Sequence, residues 1–217
     1  MTPGELLHRF RLEMVDTVEP YLWSDEEVFA YANSAQSMLA RLTGGIADSS
    51  SYVTEIEVVP GETWYDLSPK VLKVRTVTLG STGRRLDVVS PETAQDKGYV
   101  FRPGLTGEVR AVVTGLEDGK ARVWPVPTKA DVLNLSVLRM PFGSIDGEDS
   151  RIEVAEQHHE HLLLWMKSRA YLKPDAETFD KSKAQEFEGA FRAYCSFVQA
   201  ELSRQRRSAG TTTYGGL

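Results

Sequence analysis

The sequence holds a single cysteine, Cys195, among 217 residues. No internal disulfide can form, which disfavours an oxidised secreted scaffold. No apolar run reaches bilayer length, so no membrane span is expected. The first residues carry neither the basic nor the apolar block of a signal peptide. Positive charge is also short: 25 Lys and Arg stand against 31 Asp and Glu, a net charge of −6 and a pI of about 5.3. A general nucleic-acid binder needs basic side chains to displace counterions, so that class is disfavoured. DNA passing nearby without being gripped is not.

Catalytic signatures are missing as well. No Gly-x-Ser-x-Gly elbow presents a nucleophile. Gly80-Ser81-Thr82-Gly83 lacks the lysine and the following helix of a phosphate-cradling loop, and reads better as a hairpin turn. The carboxylates are scattered and nominate no general acid/base pair.

What is present is ordinary for a folded protein: 41% hydrophobic and 26% charged residues. The length suits one large domain or two small ones. Thr2-Pro3-Gly4-Glu5 opens a helix through a capping box with proline at its first position. Leu6, Leu7, Phe10 and Met14 give that helix an apolar side, and it should stop near Val15. A stronger start follows at Ser24. Glu27 answers the cap, Trp23 and Val28 staple it, and Asp25 and Glu26 favour the positive end of the helix dipole. Val28, Tyr31, Ala32, Ala35, Leu39 and Leu42 then share a face, and Gly44-Gly45 ends the helix.

From Tyr52 to Met140 the pattern becomes short strands and turns. Strands are expected over 52–59, 63–67, 71–79, 84–89, 108–114, 120–124 and 132–140. A short helix is expected after Ser90-Pro91-Glu92. Helical periodicity returns at Val154 and runs to Arg207, broken around Pro174. The first half holds the most apolar run, Leu162 to Met166. The second carries the stripe Ala184, Phe187, Phe191, Tyr194, Val198 and Leu202. Cys195 lies on that stripe and reads as a buried structural thiol.

Helices, then strands, then helices indicate an α+β protein. The expected arrangement is a helical bundle built from residues 1–50 and 143–207, with a small antiparallel β domain, 51–142, inserted between its halves. Residues 208–217 are small and polar except for Tyr214 and Leu217, and read as a flexible C-terminal tail.

Gln157-His158-His159-Glu160-His161 invites a metal reading. Positions three apart share a helix face, which pairs His158 with His161 and splits His159 off. The two-histidine spacing of a zincin is absent. Helix-surface or core polar roles are favoured, and no metal or cofactor is expected. A metal-dependent hydrolase using His158 and His161 is the least favoured alternative. The four tryptophans, spread along the chain, read as core anchors. Arg204, Arg206 and Arg207 suit the negative end of the last helix, or an acidic partner surface.

Four blocks in order resemble bacteriophage head-to-tail adaptor (connector) proteins of the tail tubular protein A kind. These are WSDEEVFAYANSAQSMLARLTG, LSPKVLKVRTVTLGSTGRRLDVVSPETAQDKG, ARVWPVPTKADVLNLSVLRMPF and HHEHLLLWMKSRAYLKPDAETFDKSKAQEFEGAF. The resemblance covers Trp23 to Arg207. It implies a virion protein of the neck between head and tail, assembled in the host bacterial cytoplasm, with no catalysis. Such proteins form a ring, commonly of twelve copies, below the portal. The ring extends the channel for double-stranded DNA and offers the docking surface for the tail nozzle or another tail component. The implied partners are therefore the portal protein, a tail component, further copies of the chain, and DNA without sequence-specific binding. Portal binding is expected at Arg204, Arg206, Arg207, Tyr214 and Leu217. The alternative within the virion is a tail-completion or nozzle-interface protein that does not touch the portal.

Overall fold

A computed structural model describes residues 1–99, 101, 104–175 and 178–206. The chain forms two compact units, Met1–Gly44 with Pro141–Leu217, and Gly45–Met140.

The first unit is helical. Helix α1 spans Pro3–Glu13, and its capping box forms as the sequence predicts: Thr2 Oγ1 accepts from the Glu5 amide at 3.1 Å, and Glu5 Oε2 accepts from the Thr2 amide at 2.8 Å. Helix α2 spans Asp25–Thr43. Ser24 and Glu27 exchange the same pair of bonds, and Gly44 closes the helix at φ +87°, a left-handed conformation that glycine adopts without steric cost. Trp23 and Val28, flanking the cap, are both buried.

In the second unit β1 is Ile46–Asp48, a strand that the sequence pattern does not predict. Tyr52–Thr54 is a 3-10 turn, so the strand expected from Tyr52 shortens to β2, Glu55–Val58. Then come β3 (Trp64–Asp66), β4 (Val71–Leu79), β5 (Arg85–Val89), helix α3 (Pro91–Asp96), β6 (Thr106–Gly107), β7 (Ala111–Thr114), β8 (Lys120–Trp124), β9 (Val126–Pro127) and β10 (Asp131–Arg139). The main sheet runs β1-β10-β4-β5-β7-β8-β3, with β2 also on β10. Strand β10 organises it. Leu133, Leu135, Val137 and Leu138 are buried while β4 pairs along one edge and β1 and β2 share the other.

The expectation of a wholly antiparallel sheet is corrected here. Strands β5 and β7 pair in parallel, Asp87 opposite Ala111 through Val89 opposite Val113, and β6 pairs with β9 in parallel. The physical reason is the connection between β5 and β7. A parallel return needs a crossover of a dozen or more residues, and α3 with the chain after it provides one. Ala94 of α3 packs on Val89 and Val113, joined by Tyr99 and Phe101. The fold is thus α+β with a mixed sheet.

The Gly80–Gly83 turn joins β4 to β5 as a hairpin. Ser81 donates from its amide at 3.0 Å and its hydroxyl at 2.5 Å to the Asp131 carboxylate, so these donors are held within the fold.

The chain returns to the helical unit at Pro141. Gln36 of α2, fully buried, fastens the returning segment: its side-chain amide reaches Gly143 O at 3.4 Å and its carbonyl accepts from the Glu153 amide at 3.2 Å. A 3-10 turn, Glu156–His158, leads into α4 (His159–Ala170), and α5 spans Lys181–Arg206. The core comprises Leu6, Phe10, Leu39, Leu162, Met166 and Phe191 among others, all buried. Each such side chain contributes roughly 1.5–3 kcal/mol by leaving water. Phe191 meets Trp165 at 5.2 Å between ring centroids, so Phe191→Ala would open the α4–α5 seam.

Candidate partner-binding surfaces

Of the expected portal-binding residues, Arg204 and Arg206 lie at the end of α5. Arg204 sits on its last turns, exposed, with no ion pair among the described residues. Arg206 closes the helix. Arg207, Tyr214 and Leu217 lie outside the described residues. Arg204 stands near the helix C-terminus, where carbonyls lack partners, a place that favours positive charge.

The histidine cluster divides as its spacing predicts. His158 Nδ1 lies 2.8 Å from the Tyr194 hydroxyl of α5, and the His161 ring stacks on the Tyr194 ring at 3.5 Å between centroids. His159 turns elsewhere. Its Nδ1 lies 3.0 Å from Met1 O and its Nε2 2.8 Å from Val154 O, so both ring nitrogens face backbone carbonyls. His158 is buried; burial, and then the neighbouring His161, push its pKa below the ordinary value. Among the described residues no group of three or more His, Cys, Asp or Glu is placed to hold a metal ion. The chemistry this cluster supports is a polar clasp between the start of α4 and the second half of α5. Cys195 is buried beside it, and burial pushes its thiol up to about 11. A thiol held neutral is a poor nucleophile.

Sequence reasoning missed a surface at the other end of the helical unit. Between α1 and α2 the chain makes a loop around a buried ion pair. Arg11 is 8% exposed and Asp16 4%. The guanidinium donates to Asp16 Oδ2 at 2.8 Å, to Trp23 O at 3.1 Å, and to Asp25, and it covers the Tyr21 ring at 3.6 Å. Asp16 also accepts from the amides of Leu22 at 2.9 Å and Trp23 at 3.4 Å. The loop is therefore pinned from both ends by one charge pair.

What this knot presents outward is apolar. Val15 is 83% exposed and Val18 77%, and Leu12, Tyr21 and Leu22 are exposed beside them. Val15 sits at φ +57°, among the described residues the one non-glycine residue with positive φ. For a β-branched residue that conformation costs about 1–2 kcal/mol, maintained only where the surroundings over-determine it. No basic residue occurs from Leu12 to Ala40, while Glu13, Asp16, Glu19, Asp25, Glu26 and Glu27 do. Neither the inward turn of Arg11 nor the exposure of the valines has a one-dimensional signature. The signal that could have drawn attention is the apolar, acidic loop bracketed by two capped helices.

Charge is divided between the units. From Gly45 to Met140 there are twelve acidic and twelve basic residues, so the whole net charge of −6 falls on the helical segments and the C-terminal residues. No described helix is long and apolar enough to cross a membrane.

Comparison with known proteins gives this arrangement its class. The chain is a phage structural adaptor protein, a virion component that meets other head and tail parts. The matching family model is that of the SU10 adaptor protein, over residues 1–214, and the chain belongs to that family. No curated protein matches it.

Proposed function

We propose that the protein is a head-to-tail adaptor of the tail tubular protein A kind, forming a ring below the portal in the virion neck. The ring extends the DNA channel and offers the surface on which the tail nozzle or another tail component docks. The observation that carries this reading is the adaptor-family match along residues 1–214. In this reading the Gly45–Met140 unit acts as a β domain inserted into a helical bundle, and about twelve copies close the ring. The net negative charge supports it, because a conduit for DNA must not hold what it conducts, and like charge repels the phosphate backbone.

The basic end of α5 and the chain beyond it form the portal contact in this account. Arg204, Arg206 and Arg207 pair with acidic groups of the portal, and Tyr214 and Leu217 supply apolar anchors. A polar segment of that composition orders on its partner. The test is deletion of residues 208–217 followed by sedimentation with purified portal rings. The truncated chain should fold normally and attach at least tenfold more weakly. Equal attachment would remove the tail from the interface. Attachment of the intact chain to a tail component alone would place it in tail completion instead.

The metal-hydrolase reading finds no support in the geometry. Of the two residues that reading uses, His158 Nδ1 lies on the Tyr194 hydroxyl and the His161 ring stacks on the Tyr194 ring.

A further inference from the structure

We propose that the loop from Leu12 to Leu22 is a second docking element, one that binds the tail-side component through an apolar pocket rimmed by arginine or lysine. Three observations converge on it.

The first is investment in shape. The loop is held by Arg11 and Asp16, both buried, and it keeps Val15 in a left-handed conformation while leaving its side chain in water. A surface loop with no task has no reason to maintain a strained valine over a buried charge pair. A rigid apolar projection binds at lower entropic cost than a mobile one.

The second is charge. Glu13 is paired with Lys167, Glu27 with Lys173, and Asp16 and Asp25 with Arg11. Glu19 and Glu26 remain exposed, with no ion pair among the described residues. The complement of an apolar projection with an acidic rim is an apolar pocket with a basic rim. The same argument disfavours two copies meeting through this loop, since that contact would set acid against acid.

The third is position within the helical unit. Lys173, just after α4, donates to Leu22 O at 2.9 Å and to Glu27 at 3.0 Å, and Tyr171 O accepts from the Asp180 amide at the start of α5. The loop therefore lies toward the end of the unit where α5 begins. Helix α5 has 26 residues, about 39 Å at 1.5 Å per residue. Its basic end, the proposed portal contact, is thus separated from the loop by nearly the length of the helix. An adaptor needs two such separated contacts, one basic and one acidic and apolar. The assignment of this loop to the tail side rests on the portal reading of the other end.

The test uses the full chain with Val18→Asp and, separately, Glu19→Lys. Both side chains are exposed, so helical circular dichroism and the melting temperature should match the parent. Purified portal rings and the purified tail component of the same virion are the two probes. The proposal expects each variant to bind the tail component at least tenfold more weakly, with portal attachment unchanged. It expects added salt to weaken the parent's tail-side binding and to affect Glu19→Lys less. Unchanged tail binding by both variants overturns the loop assignment while leaving the adaptor reading intact. Loss of portal attachment, or of self-association, with tail binding retained also overturns it by naming another occupant. A parent chain that binds neither probe overturns the adaptor reading itself.

Discussion

Replacing Arg11 with leucine would remove the cation that organises the α1–α2 loop. Asp16 would then be left as a buried carboxylate with two amide donors, from Leu22 and Trp23. Removing one partner of a buried pair costs about 3–5 kcal/mol. The two surviving amide bonds place Asp16 at the lower end, about 3 kcal/mol. The bond to Trp23 O adds about 1 kcal/mol, and the lost cover on Tyr21 a few tenths more. Leucine retains part of the apolar stem's packing, so the net expectation is about 4 kcal/mol. Urea unfolding followed by helical circular dichroism reads it. With a slope of about 2 kcal/mol per molar, the midpoint should fall by about 2 M. Adding Asp16→Asn should recover about half of the loss, because a neutral acceptor still serves one of the amides without a buried charge. A midpoint shift below about 0.5 M, or a further loss in the double variant, would refute the view that one buried ion pair fixes this loop.

Other expectations follow from the same geometry. Asp48 in β1 is half-buried, which alone would raise its carboxyl, yet Arg139 at 2.5 Å and the Ser50 and Ser51 amides hold it well below the usual carboxylate range. Its stabilising contribution is full above the unfolded value of about 3.9 and drains as pH falls through the lower folded value, so Asp48→Asn should flatten acid unfolding of the β unit followed by Trp fluorescence. The His158 imidazole is likewise held below its ordinary value, so acidification below about pH 6.5 should loosen the α4–α5 clasp, and His158→Gln should remove that slope from melting temperature against pH. Gly45 holds φ +99° with the Arg139 amide nitrogen 3.1 Å from where a Cβ would stand, so Gly45→Ala should cost about 2 kcal/mol in thermal unfolding. Cys195 should resist a thiol reagent at pH 8 until urea opens the helical unit, and rapid labelling of the folded chain would contradict its burial.

Much of the local architecture was legible because local chemistry decides it. Ser24 and Glu27 announce a helix start by satisfying free amides, and Gly44 announces its end by adopting a conformation other residues avoid. The stripe along α5 is readable because burial follows the helical period. Features decided by tertiary partners were not legible. The parallel β5–β7 pair depends on how the chain after α3 returns, which alternation along a strand does not record. Gln36 is a polar side chain on α2, yet it is buried because Gly143 and Glu153 come back to meet its amide. Arg11, a charged residue of α1, turns inward to Asp16. For the histidines, spacing correctly separated His159 from the other two, while Tyr194, the residue that receives both His158 and His161, emerged only from packing. Of the expected portal contacts, Arg204 and the backbone of Arg206 fall on α5, and the anchors Tyr214 and Leu217 lie beyond the described residues.

The central claim is that this chain joins head to tail as a ring. Electron cryo-microscopy of the virion neck, with the chain traced into the map, tests it directly. The account predicts a closed ring of repeated copies immediately below the portal, the basic end of α5 against portal density and the Leu12–Leu22 loop facing the next tail component. Copies found elsewhere in the virion, or a neck in which the portal contacts the tail with no intervening ring of this chain, would contradict it.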